Sequence, residues 1–90
     1  MINVVEIDKN NFEVEIQNEI KSVHKVYLSD VFFEKYKKKY KSKKDIVHES
    51  FKFLLKREDN TTILKRFDIE VIKDFFPEYE KFLNNNYDTK

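Results

Sequence analysis

The chain has no glycine, no cysteine and no tryptophan, and its single proline is Pro77. Without glycine there is no phosphate-cradling Gly-rich loop and no GxGxxG dinucleotide turn, because both need backbone approaches or φ values that glycine supplies. The G-x-S-x-G nucleophile elbow is excluded with them. Without cysteine there is neither a disulfide framework nor a thiolate metal site, nothing ties the chain to an oxidising compartment, and a cytoplasmic location is expected. The two histidines, His24 and His48, fall in different expected elements and form no H-x-x-H spacing, so no metal and no cofactor is expected. Long apolar runs are lacking too. MINVVEIDKNNFEVEI meets acids by Glu6 and has no basic n-region, which leaves no expected signal peptide or membrane span.

What is present is enough for one small core. Ninety residues cannot divide their buried surface between two domains. A hydrophobic content of 40%, with nine Phe and five Tyr, exceeds what a disordered chain carries. Charge is unevenly spread although the formal total is only +1. KYKKKYKSKK, residues 35–44, holds seven lysines and no acid; the other eleven basic residues face all seventeen acids, a balance of −6 against +7. The chain is therefore dipolar, and the lysine run is either a phosphate grip or a solvated face.

Phe12, Val14 and Ile16 alternate with Glu13, Glu15 and Gln17, a half-buried strand with a carboxylate face. INVVEID forms a strand before it, and Asp8, Lys9, Asn10 and Asn11 make the turn, with asparagine able to take the φ > 0 positions that glycine would otherwise fill. A third strand in IKSVHKVYL turns Ile20, Ser22, His24, Val26 and Leu28 inward and Lys21, Val23, Lys25 and Tyr27 outward. His24 reads as a partly buried histidine that hydrogen-bonds locally. Ser29 caps a first helix, DVFFEKYKKKY, with Phe32, Tyr36 and Tyr40 on one stripe. Ser42 and Asp45 form a capping box for a second helix whose face holds Ile46, Val47, Phe51, Leu54 and Leu55. A third helical region is expected from Thr61, with a stripe through Leu64, Phe67, Val71 and Phe75. Pro77 should break the chain at Phe76 before a short last helix.

The expected fold is α+β: an N-terminal three-stranded antiparallel sheet followed by three to four helices packed on one face. One domain covers residues 1–84, and 85–90 form a frayed tail. The core is expected to include Phe12, Val14, Ile16, Val26, Leu28, Phe51 and Leu54.

Carboxylate pairs such as Glu13 with Glu15 alternate toward water, whereas acid catalysis needs one carboxylate whose pKa a pocket raises. The chain therefore reads as a non-enzymatic interaction module. Fourteen aromatics are more than one small core readily hides, and Phe33, Phe75, Phe76, Tyr79 and Phe82 are candidates for the surplus, the alternative being that all five are internal. Self-association, or a small protein partner, follows from that surplus.

The alternative partner is nucleic acid. Lys41, Lys43 and Lys44 surround the start of the second helix, where free amides and the helix dipole favour an anion. The stretch KVYLSDVFFEKYKKKYKSKKDIVHESFKFLLKRE resembles the ribbon-helix-helix fold. That resemblance implies a strand ribbon shared by two chains in the DNA major groove, with Lys25 and Tyr27 outward and Ser42, Lys43 and Lys44 anchoring phosphate. It departs from that pattern in lacking the glycine of the inter-helix turn and in carrying a hairpin before the strand. SFKFLLKREDNTTILKRFDIEVIKDFFPEYE resembles the C-terminal part of a family of short bacterial proteins of unassigned function, which implies no activity or site.

Overall fold

The computed structural model describes residues 1–86. Three strands come first: β1 (Ile2–Glu6), β2 (Asn11–Ile16) and β3 (Ser22–Tyr27). They form an antiparallel meander in which Val4 faces Val14 and Val14 faces His24, while Phe12 faces Val26 in the next inward row. Period two sends these side chains to one face and Asn3, Val5, Glu13, Glu15, Val23, Lys25 and Tyr27 to the other. The inward set is buried, and burying each aliphatic or aromatic side chain stabilises the fold by roughly 1.5–3 kcal/mol. Ile20, expected on the inward side, precedes β3 and is exposed.

The β1–β2 turn works without the left-handed backbone expected of its asparagines, for no described residue has positive φ. Instead the Asp8 carboxylate accepts the amides of Asn10 and Asn11 at 2.9 and 3.0 Å, a side chain standing in for a backbone turn.

Helix α1 (Asp30–Tyr36) and helix α2 (Lys43–Leu55) both start as expected: Ser29 Oγ accepts the Phe32 amide and Ser42 Oγ accepts the Asp45 amide. Helix α1 ends at Tyr36, earlier than its stripe predicts. A longer helix would place Lys35 over Lys39 and Lys37 over Lys41, like-charge neighbours that destabilise it. Tyr40 is still buried, held by its hydroxyl, which donates to the Leu83 carbonyl at 2.9 Å.

The third helical region is corrected. After a 3₁₀ turn (Asn60–Thr62) the chain forms a fourth strand, β4 (Arg66–Asp68), parallel to β3, then a second 3₁₀ turn (Ile69–Val71) running into a short α3 (Ile72–Phe75). The sheet is therefore four-stranded and mixed, in the order β1-β2-β3-β4, where three antiparallel strands were expected. Pairing with β3 supplies Phe67 with a neighbour, the Phe51 ring at 5.9 Å, and this long-range contact outweighs a helical period in Leu64, Phe67, Val71 and Phe75. Asp59 and Asp68 fix the turns on either side by accepting the amides of Thr61 and Glu70.

Phe76 leaves the helical region before Pro77, and α4 (Tyr79–Asn86) follows. Residues 85 and 86, expected in the tail, belong to α4; the rest of that expected tail, 87–90, lies outside the described residues. Helices and the inward sheet face share one core containing all seven side chains expected there. Phe53 sits at the centre of an aromatic group, with Phe82, Tyr79 and Phe76 at 4.9, 5.4 and 6.0 Å. Tyr79, expected among the surface surplus, is fully buried; Phe33, Phe76 and Phe82 are partly buried, and Phe75 alone of that set is exposed.

Candidate interaction groove

Several members of the lysine run have partners within the protein. Lys35 approaches Glu80 at 3.9 Å, Lys37 pairs with Glu34 at 2.7 Å, and Lys39 donates to the Asn84 carbonyl at 2.7 Å. Lys43 is the most enclosed. Its side chain is only 10% exposed, and its ammonium donates to Asp30 at 2.5 Å and to the Asn10 side chain. Asp30 also holds Lys9 at 3.1 Å, and the hydrogen bonds from Lys43 and then Lys9 keep its carboxyl below the usual range. Ser42 uses its hydroxyl on the α2 cap. Lys41 and Lys44 are exposed.

Lys25 and Tyr27 project from the solvent face of β3, whereas Lys43 and Lys44 begin α2 on the covered face. Over Lys25–Tyr27 both sides of β3 are occupied, by β2 and by β4, whereas a ribbon shared with a second chain would need one of them.

A buried polar chain closes the other end of the sheet. His24 Nδ1 lies 2.8 Å from the Leu64 carbonyl, which can only accept, so Nδ1 carries a proton and donates. Nε2 shares a hydrogen bond with the Ser22 hydroxyl at 2.8 Å, and Ser22 accepts from Asn60 Nδ2 at 2.8 Å. Asn60 also donates to the Ile20 carbonyl and receives Asn18. Every donor on this path has an acceptor, so the arrangement clasps the 3₁₀ turn to β3.

An apolar groove of about 160 Å³ lies where the end of α2, the first 3₁₀ turn, β4 and α3 meet. Leu54, Ile63 and Ile72 are its buried floor, Phe67, Val71 and Phe76 its half-buried sides. Leu64 and Phe75 stand at the rim, 50% and 65% exposed. The polar lining is Glu58 and Thr62, whose side chains lie 3.1 Å apart. Arg57 anchors the helix end that carries Glu58: its guanidinium lies 3.6 Å from the Phe53 ring centroid and bonds Glu78 at 3.0 Å.

All four members of the expected helical stripe, Leu64, Phe67, Val71 and Phe75, line this groove, although a loop, a strand, a 3₁₀ turn and a helix deliver them. Glu58, Thr62, Ile63, Ile72 and Phe76 were not singled out as groove residues by the sequence reading. The order Phe75, Phe76, Pro77 held a signal, since a helix stopped by proline turns adjacent rings to different sides.

Among the described residues no cluster of three or more His, Asp or Glu could hold a metal ion, and no helix is long and apolar enough to cross a membrane. Comparison with protein-family models, with curated proteins and with solved structures finds no match.

Proposed function

We propose that the protein is a small non-enzymatic interaction module that receives an apolar segment of a partner protein in the groove between α2, β4 and α3. The observation that carries this reading is the exposure of Leu64 and Phe75 at the rim of a mostly apolar lining. Exposed apolar side chains that converge on a concavity serve contact better than solubility. Glu58 gives the lining a carboxylate, so the complementary segment carries apolar anchors and a basic residue, in the manner of an amphipathic helix laid in a groove.

Two short synthetic amphipathic helices, one of Leu and Lys and one of Leu and Glu, test the reading by amide chemical shifts. The Leu/Lys peptide should perturb residues around Leu64, Phe75 and Glu58, and the effect should vanish in Leu64→Glu/Phe75→Glu. No perturbation, or an unchanged one in the double variant, sinks it.

The nucleic-acid reading draws on the +7 segment. Lys43, one of the three residues expected to anchor phosphate, bonds Asp30 and Asn10, which weighs against it. Duplex DNA should accordingly show little loss of salt dependence in Lys43→Ala/Lys44→Ala. A log-log salt slope that falls by roughly 2 in that variant would instead favour DNA.

A further inference from the structure

The two outer strands of the sheet are built differently. β4 is three residues long and carries Arg66 and Asp68. β1 runs for five residues in unbroken register with β2, with no lysine, proline or bulge, and its one charge, Glu6, stands at its end. Outer strands of monomeric proteins usually carry one of those devices, because unused amides and carbonyls template pairing with another chain. In an antiparallel ladder, alternate residues exchange hydrogen bonds with the neighbour. The Ile7 amide bonds the Asn11 carbonyl at 2.8 Å and the Gln17 amide bonds the Met1 carbonyl at 2.9 Å, which assigns the odd residues of β1 to β2. The backbone groups of Ile2, Val4 and Glu6 therefore point to the outer side. The odd side chains cover the solvent face, where Val5 is 48% and Ile7 54% exposed.

We propose that β1 is the surface through which two copies of this chain associate, pairing antiparallel about a dyad at Val4. Ile2 of one copy then exchanges hydrogen bonds with the partner's Glu6, and Val4 with the partner's Val4. The edge is complementary to itself in three respects. The dyad gathers Val5 and Ile7 of both copies into one apolar strip on the solvent face. It sends the two Glu6 carboxylates to opposite ends, whereas parallel pairing would set them side by side, a destabilising arrangement of like charges. The other outer strand is short and charged, so pairing closes at two copies and does not extend into a fibre. This surface is separate from the groove, and either reading stands without the other.

Sedimentation velocity between about 5 and 500 µM measures the association directly, since dimer content must follow concentration. The wild type should dimerise. Glu6→Pro removes an outward amide while leaving the β1–β2 bonds intact, and a folded monomer is expected. Glu6→Ala keeps the amide and should stay dimeric. Val5→Lys places a charge on the strip at an already exposed position and should weaken the dimer by at least about tenfold. Far-UV circular dichroism checks that each variant is folded. A wild type that is monomeric throughout overturns the proposal, as does a folded Glu6→Pro that still dimerises. Should Glu6→Pro fail to fold, a Val5→Lys variant with the wild-type dimer constant overturns it equally.

Discussion

Asn60 is a small side chain with a large share of the polar accounting. It is 2% exposed, and its amide serves the Ile20 carbonyl and the Ser22 hydroxyl while its oxygen receives Asn18. Replacing it with alanine leaves those groups short of partners, and urea denaturation should report a loss of about 1–3 kcal/mol. Phe53→Ala empties the centre of the aromatic group and should cost about 3–5 kcal/mol on the same measurement. His24 has the inward register that the alternating strand implies, but it is fully buried where partial burial was expected, and only its bond to Ser22 is local, the other reaching Leu64. Lys43 is harder to read from the sequence. Its position at a helix start reads as an anion grip, and only the fold shows that Asp30 and Asn10 already occupy its ammonium.

At the level of elements, signals contained within a few residues were legible. Ser29 and Ser42 cap the helices they precede, and Ser42→Ala should lower stability by about 0.5–2 kcal/mol, read as a shifted urea midpoint with unchanged slope. The β1–β2 hairpin was likewise visible as two alternating runs joined by a polar turn. β4 was not, because a strand of three residues is defined by its partner and not by its own pattern. The groove was hidden with it: its sides exist only once Phe67 sits next to Phe51. The spacing of Leu64, Phe67, Val71 and Phe75 identified the residues while naming the wrong element.

Across the whole molecule, two opposite titration effects bound the stable range. Burial and the bond to Glu80 push the Tyr36 hydroxyl pKa upward, and burial does the same to Tyr79. A group raised in the folded state contributes fully below its unfolded pKa, near 10, and loses that contribution as pH rises beyond it. Alkaline unfolding should therefore coincide with a cooperative rise in tyrosinate absorbance at about 295 nm, and Tyr79→Phe should reduce that step. Hydrogen bonds from Lys43, Lys21 and Asn11 lower Asp30, Glu15 and Asp8 respectively. Their contribution is present above the ordinary carboxylate range and fades as pH falls through it, so the thermal midpoint should decline below about pH 4. The parallel β3–β4 pairing has a consequence in time. The bond from His24 to the Leu64 carbonyl closes a span of 40 residues, whereas the β1–β2–β3 meander is joined by tight turns. Closing the longer span costs more chain entropy before any contact rewards it. β4 should then be the last strand to join in refolding and the first to part in native-state hydrogen exchange, its amides opening at lower free energy than those of β2. The groove would come and go with that strand, so a segment bound there should slow β4 exchange and leave β2 unchanged.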